Sequence, residues 1–244
     1  MMKILTFSNR CTKEILRDPI NLGFGLGFPT VLLLLLSAMQ TNIPVELFNI
    51  SNLSPGIAVF GLSFITLFSA TLIAKDRESA LMQRLYTTPM KPIDFIIGYT
   101  LPLIPISLLQ STACYIIALF LGLTPSINIV WAILLVLPVS VIYISLGLLA
   151  GSTLNSKQVG GICGALLTNL SAWLSGVWFD LKLMGEGFVK FAKVLPFYHA
   201  VELERAAISG SLSSAYTHLL VVLGYAIALT VAATFTYLRQ MKKQ

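Results

Sequence analysis

The sequence predicts an all-α fold: a polytopic membrane protein with six transmembrane helices, an N-terminal amphipathic interfacial helix and short extracellular helices between spans five and six. Composition is the first observation behind this prediction. Hydrophobic residues make up 56% of the 244 residues and charged residues only 11%, whereas soluble domains carry about 25% charged residues. The second observation is that apolar residues form long continuous runs, unlike the alternating strands of a membrane β-barrel. Together they exclude an ordinary soluble enzyme, a disordered regulator and a nucleic-acid-binding protein.

Six apolar runs are each long enough to cross a bilayer as a helix, which takes about 20 residues for about 30 Å of hydrocarbon. None of them has Asp, Glu, Lys or Arg in its central part. The runs cover residues 20–39, 54–74, 95–121, 129–151, 159–179 and 218–238. Because they fill most of the chain, we expect residues 1–244 to form a single transmembrane domain.

The basic residues are divided unequally between the two ends of these spans. In a six-span topology, twelve Lys and Arg residues lie on the side of both termini, and four lie on the other side. Cytoplasmic connections of membrane proteins are enriched in Lys and Arg. We therefore expect a multi-pass protein with both termini in the cytoplasm, which agrees with an even number of spans.

The N-terminal segment, residues 1–18, has the pattern of an amphipathic helix. Ile4, Phe7, Cys11 and Ile15 recur at a spacing that places them on one helical face. Most charged residues fall on the other face, among them Lys3, Arg10, Lys13, Glu14 and Arg17. A basic face opposite an apolar one predicts a helix in the plane of the inner lipid headgroups, which Pro19 then ends.

The connection between spans two and three predicts a short charged helix over residues 76–88. Leu81 and Leu85 lie one turn apart and begin an apolar ridge. Asp76 and Glu78 are placed near the start of this helix, where acidic side chains complement the helix dipole. We expect a rigid helix held across the cytoplasmic end of the bundle; an ordinary solvated loop helix is the alternative.

The outer connection, residues 180–217, is long and partly apolar. Apolar and charged residues alternate at helical spacing in two stretches, which a Leu195-Pro196-Phe197 corner separates. This pattern predicts two short amphipathic helices that dip into the outer leaflet. They either cap a pathway or only seal the bundle.

Small residues mark places where membrane helices can approach each other closely. Gly147 and Gly151 form one such pair, and the series Gly160, Gly164 and Thr168 forms a candidate seam for packing or for a dimer. The three cysteines are far apart and are read as apolar packing residues.

The sequence lacks the common motifs for nucleotide binding and for metal-dependent catalysis. The sequence has no phosphate-binding loop of the G-x-x-x-x-G-K-[ST] type and no H-E-x-x-H motif. Its two histidines, His199 and His218, belong to the outer side. We therefore expect no catalytic residue, no bound metal and no cofactor in this chain. The absence of mid-span Asp and Glu also disfavours a proton- or ion-coupled carrier.

Residues 74–90 resemble the signature that follows the second span in permeases of the type-2 ATP-binding-cassette (ABC) transporter family, especially the membrane subunits of drug and antibiotic exporters. There an acidic-Arg-Glu triplet precedes a small residue, spaced leucines and Thr-Pro. The matching residues here are Arg77, Glu78, Leu81, Leu85, Thr88 and Pro89. The sequence departs from the pattern at Asp76, where Glu is commoner, and at Ala80, where Gly is frequent.

The resemblance implies one permease domain that works as a dimer, with a second copy or a homologous permease. Each half pairs with a separate cytoplasmic ABC ATPase subunit, which binds ATP-Mg. The implied ATPase-coupling residues are Asp76, Arg77, Glu78, Leu81, Arg84, Leu85, Thr88 and Pro89. The expected function is export of a hydrophobic or amphipathic cargo such as a drug, antibiotic or lipid across a bacterial cell membrane, with antibiotic resistance as a consequence.

Two other functions stay open from the sequence. One is an ATP-independent membrane channel or secondary carrier. The other is a membrane enzyme that acts on lipid or peptide through His199 and His218, with Glu202 or Glu204 as the carboxylate.

Overall fold

The computed structural model describes residues 2–42, 46–79 and 90–241, and the regular elements within these ranges are helices. Five helices are long and apolar enough to cross a membrane. They are Pro19–Gln40, Ile50–Glu78, Pro92–Phe120, Asn128–Thr153 and Ser213–Met241. These confirm an all-α membrane fold and five of the predicted spans.

In chain order the α-helices are α1 (Met2–Leu16), α2 (Pro19–Leu22), α3 (Phe28–Asn42), α4 (Ile50–Glu78), α5 (Pro92–Thr100), α6 (Leu103–Phe120), α7 (Asn128–Thr153), α8 (Ser156–Val159), α9 (Thr168–Ser175), α10 (Glu186–Val194), α11 (Pro196–Ser209) and α12 (Leu212–Met241). Two π-helical segments join neighbouring helices: Gly23–Gly27 joins α2 to α3, and Gly160–Leu167 joins α8 to α9. Short 3₁₀-helices lie at Glu46–Phe48 and Leu181–Met184.

The segment predicted as the fifth span, residues 159–179, differs from the other five. It is helical as α8, the π-helical segment and α9, and ends at Ser175, because Gly176 takes a left-handed conformation with φ of 71°. Polar residues lower the hydrophobicity of this helical stretch, at Lys157 and Gln158 in α8 and again at Asn169 in α9. The structure thus supports five candidate spans, and the sixth stays a prediction.

Helix α4 is the centre of the bundle, and most of its residues are buried. It packs most extensively against α7. Polar groups connect the two helices: the Thr66 hydroxyl donates to the Tyr143 carbonyl at 2.8 Å. Gly147 and Gly151 of α7 lie directly against the α4 backbone, where an added Cβ at Gly151 would be 2.7 Å from the Ala70 carbonyl oxygen. The predicted close approach at this glycine pair is confirmed.

Helix α1 confirms the predicted amphipathic helix, and most of its apolar face packs against the bundle. Phe7, Cys11 and Ile15 are buried within the protein, and the Phe7 ring meets those of Phe95 and Tyr99 edge-on, at 5.4 and 5.0 Å. Burial raises the pKa of the Cys11 thiol to about 12, as suits an inert packing residue. Helix α5 covers this face, and the interfacial placement predicted for α1 stays a prediction.

The outer connection contains the two predicted helices, α10 and α11, separated by the predicted corner. Leu195 is extended, and Pro196 occupies the first turn of α11. Helix α10 is amphipathic and exposes Phe191 and Val194. Helix α11, in contrast, buries residues such as Val201 and Leu203 against the bundle. The position of both helices in the outer leaflet stays a prediction.

Candidate functional site

The structure places only part of the predicted coupling segment. Leu81, Arg84, Leu85, Thr88 and Pro89 lie outside the described residues. Asp76, Arg77 and Glu78 form the last turn of α4, and Ser79 then takes an extended conformation. The prediction that a helix begins at residue 76 is therefore wrong. Residues 62–78 contain no proline or glycine that would stop the helix earlier, so its backbone hydrogen bonding continues into the charged residues.

Asp76 is the buried member of this last turn, with 3% of its side chain exposed. Arg10 of α1 donates to both of its carboxylate oxygens, each at 2.6 Å, and the Tyr99 hydroxyl of α5 donates to Oδ2 at 2.8 Å. The hydrogen bond to Asp76 raises the pKa of the Arg10 guanidinium. A bidentate arginine–carboxylate pair of this kind fixes the relative orientation of the two side chains as well as pairing their charges. Asp76 thus joins α4 to α1 and α5.

Arg77 lies against the end of α7. Its guanidinium Nη1 donates to the carbonyl oxygens of Gly151 at 2.8 Å and Leu154 at 3.3 Å. The last carbonyls of a helix lack partners within that helix and carry partial negative charge, so a cation there is stabilising. Arg77 therefore ties the ends of α4 and α7 together.

Glu78 contacts the start of α8. Its carboxylate accepts from the Ser156 backbone N–H at 2.9 Å and from the Ser156 hydroxyl at 2.6 Å. Asn155 also caps this helix start, accepting from the Gln158 backbone N–H at 2.8 Å. Three consecutive residues of α4 thus contact α1 and α5, the end of α7 and the start of α8. We call these three residues and their partners Arg10, Tyr99, Gly151, Leu154 and Ser156 the α4-end cluster.

Sequence reasoning identified one side of this cluster and missed the other. The sequence pattern places Arg10 on the charged face of an interfacial helix, and it singles out neither Tyr99 nor Ser156. Arg10 and Asp76 are 66 residues apart in sequence, and helical periodicity reports only on neighbours within one helix. The sequence signal for this ion pair is that an Arg and an Asp, Arg10 and Asp76, are both predicted at the same membrane boundary.

The candidate packing seam is only partly used within the chain. An added Cβ at Gly160 would meet nothing within 4 Å, and one at Gly164 would make ordinary contact with Leu67. The Thr168 hydroxyl donates to the Cys163 carbonyl of its own segment at 2.9 Å. Gly160 is exposed, so a role for these three residues in a dimer stays a prediction.

The two outer histidines, far apart in sequence, are brought into contact. His199 Nδ1 and His218 Nδ1 are 2.9 Å apart, and His199 Nε2 donates to the Lys193 carbonyl at 2.8 Å. The two carboxylates suggested as their catalytic partners bond elsewhere. Glu202 accepts from Arg205 at 2.9 Å, and Glu204 accepts from a tyrosine of α6. The histidine pair therefore links the ends of α10, α11 and α12.

Glu204 is fully buried in α11, in the outer connection. The Tyr115 hydroxyl donates to its Oε2 at 2.7 Å, and Oε1 has no hydrogen-bond partner among the described residues. Burial raises the pKa of Glu204 to about 8, although the bond from Tyr115 opposes this. The folded chain therefore keeps a proton that the unfolded chain releases above pH of about 4.3.

We expect this proton to make stability fall as the pH rises from about 4 to about 8, because the unfolded state binds fewer protons throughout that window. Glu204→Gln keeps an acceptor for Tyr115 and cannot ionise. The variant should therefore unfold at a higher temperature than the wild type at pH of about 9 and at a similar temperature at pH of about 4. Thermal unfolding in detergent across this range measures both, and parallel curves for the two proteins would contradict the assignment.

No cluster of three or more His, Cys, Asp or Glu residues that could hold a metal ion is present in the described parts of the chain. Cys11, Cys114 and Cys163 are free and buried, which confirms their reading as packing residues.

A known family model covers most of the chain. The family model for the ABC-2 type transporter matches residues 2–208, which include α1, the α4-end cluster and the outer helices α10 and α11. Comparison with curated proteins finds no match to this sequence.

Proposed function

Because the chain belongs to the ABC-2 type transporter family as a membrane permease domain, we propose that it forms the translocation path of an ATP-driven exporter whose ATPase is a separate chain. The proposed cargo is hydrophobic or amphipathic: a drug, an antibiotic or a lipid-like molecule. The proposed location is a bacterial cell membrane, with six spans and both termini in the cytoplasm. Export of this kind would confer resistance to a toxic cargo.

The observation that carries this proposal is the α4-end cluster. Asp76, Arg77 and Glu78 directly precede the segment that would contact the ATPase, and each of them bonds to a different element. A displacement of that segment therefore pulls on α1, α5, α7 and α8 together, through short hydrogen bonds rather than through a flexible linker. The proposed coupling residues are these three together with Leu81, Arg84, Leu85, Thr88 and Pro89.

The proposed assembly is a dimer of permease chains, identical or homologous, with two ATPase subunits that bind ATP-Mg. Gly160 supports a seam on the segment that follows α8, because it is exposed and has open space around it. Gly164 and Thr168 follow on the same segment. Small residues allow helix backbones to approach closely in lipid, where packing rather than hydrophobicity drives association.

Transport in reconstituted vesicles tests the proposal. The chain is reconstituted with the ATPase encoded beside it, and export of a fluorescent amphipathic dye is followed with ATP and without it. We expect transport only when both the ATPase and ATP are present. Transport by the chain alone, without nucleotide, would instead establish the channel or carrier alternative.

Glu78→Gln tests the coupling role in the same assay. The variant weakens both bonds to Ser156, so we expect ATP-dependent transport to fall by about tenfold, within the usual range of coupling between sites. The ATPase should still bind, because the rest of the segment is intact. Glu186→Gln is the matched control, since it removes an exposed carboxylate at the opposite end of the bundle. Equal transport by wild type and Glu78→Gln would contradict the coupling role.

The histidine pair separates export from the enzyme alternative. Replacing His199 and His218 together by Ala removes the bond that links α11 to α12, so a modest loss of stability of about 1 kcal/mol is expected. Transport should persist. If the double variant still folds but loses its activity on the lipid or peptide substrate, the membrane enzyme is favoured over export.

A further inference from the structure

A cavity of about 320 Å³ lies between the N-terminal helix and the inner half of the bundle core. Its walls come from the end of α1, the start of α2 and the last three turns of α4. Arg17 and Lys75 are two of its charged lining residues, and Ile15, Ile20, Phe68 and Leu72 are its principal apolar ones. We call it the α1–α4 cavity. Since α2 and α4 belong to membrane spans and α1 lies outside them, the cavity is at the membrane boundary.

The carboxylates of this cavity accept short hydrogen bonds, whereas its cations have none among the described residues. Glu14 accepts a hydrogen bond from Arg10 at 2.5 Å. Asp18 caps α2, accepting from the Asn21 side chain at 2.7 Å. In contrast, Lys75 makes only a long ion pair, with Nζ 3.9 Å from Asp18 Oδ2, and 54% of its side chain is exposed.

Arg17 completes the polar side of the cavity. Its side chain is exposed and forms no ion pair with any acidic residue in the described ranges. The side-chain donors of Arg17 and Lys75 are therefore exposed and have no hydrogen-bond acceptor among the described residues, apart from the long ion pair of Lys75 with Asp18. Guanidinium and ammonium groups at a membrane boundary bind phosphate oxygens strongly.

The opposite side of the cavity is apolar and continues along the membrane. Phe68 and Leu72 are buried at its base. Gly25 lies against the Phe68 ring so closely that an added Cβ would overlap it. From the cavity, Ile20 and Phe24 point outward with 71% and 55% of their surfaces exposed. They form an apolar track along the start of the first span that is long enough to contact part of an acyl chain.

We infer that the α1–α4 cavity binds one phospholipid of the membrane leaflet that borders α1. Arg17 and Lys75 hold its phosphate, and an acyl chain lies along Phe68, Ile20 and Phe24. The combination of two available cations with an adjoining apolar track requires a ligand that has both a phosphate and a tail. The site does not depend on the proposed export function, because none of its residues belongs to the α4-end cluster, although Glu14 accepts a hydrogen bond from Arg10 of that cluster.

Native mass spectrometry of the full chain in detergent tests this site with three probes: dioleoylphosphatidylglycerol, dioleoylglycerol and glycerol 3-phosphate. The first has both phosphate and tails, the second lacks the phosphate, and the third lacks the tails. We expect one phosphatidylglycerol to bind at least about tenfold more tightly than either fragment. Equal retention of dioleoylglycerol would overturn the role of the cations, and equal binding of glycerol 3-phosphate would overturn the role of the apolar track.

Substitutions localise the binding. Arg17→Ala with Lys75→Ala should weaken phosphatidylglycerol binding by at least about tenfold. Lys13→Ala with Lys157→Ala is the matched control, because both are exposed cations at the same end of the bundle that do not line this cavity. Thr71→Phe fills the cavity without a change of charge and should also weaken binding. A similar loss in the control pair, or unchanged binding in Thr71→Phe, would mean unspecific attraction to a basic surface and would overturn the site.

Discussion

Arg10→Ala is expected to lower the free energy of unfolding by about 3–5 kcal/mol, the usual cost of removing one partner from a buried ion pair. The cost arises at Asp76, which is 3% exposed and would keep only the hydrogen bond from Tyr99. Chemical unfolding in detergent measures the change. Lys13→Ala, an exposed cation of the same helix, should change stability by less than about 0.5 kcal/mol.

A second substitution shows whether the uncompensated charge is the cause. Asp76→Asn in the Arg10→Ala background removes the charge and keeps an acceptor for Tyr99. We therefore expect the double variant to recover a large part of the lost stability, as found when both members of a buried pair are neutralised. Additive losses in the double variant would mean that the ion pair does not hold α1 to the bundle.

Gly151→Ala is expected to destabilise the bundle by about 1–3 kcal/mol, the usual cost of overpacking a core. The added Cβ would lie 2.7 Å from the Ala70 carbonyl oxygen and 2.9 Å from its Cα. These are backbone atoms of α4, which cannot rotate away as a side chain can. Gly147→Ala should behave similarly, because its Cβ would be 2.7 Å from the Thr66 carbonyl oxygen.

Gly160→Ala provides the control for both substitutions. Nothing lies within 4 Å of its added Cβ, and alanine is favoured over glycine in helices by up to about 1 kcal/mol. We expect neutral or slightly higher stability, measured by the same unfolding assay. Equal losses at all three glycines would show that the α4–α7 contact is not what makes Gly147 and Gly151 necessary.

The sequence was sufficient for those features that depend on neighbouring residues. Continuous apolar runs predicted five of the helices that the structure shows to be long enough to span a membrane. The spacing of Phe7, Cys11 and Ile15 predicted the buried face of α1. Proline and its neighbours predicted the corner between α10 and α11.

The remaining features depend on contacts between distant parts of the chain. Periodicity shows that Phe7 lies on an apolar face, but α5 and lipid are equally apolar, so it could not show which one covers that face. The same limit applies to Glu78 and Ser156, which meet across 78 positions. In the coupling segment, local charge rules predict that Asp76 and Glu78 begin a helix. The structure places them at the end of α4 instead. Compensation by Arg10 of another helix could not be anticipated from local charge rules.

Photo-crosslinking from residue 84 tests whether the segment after α4 contacts a separate ATPase. A photoreactive amino acid replaces Arg84 in the full chain, and the membranes are irradiated before purification. We expect capture of a nucleotide-hydrolysing protein from residue 84, and no such capture from residue 183, where Leu183 is 79% exposed at the opposite end of the bundle. Absence of any ATPase among the products from residue 84, while the chain still moves its cargo, would contradict coupling through this segment.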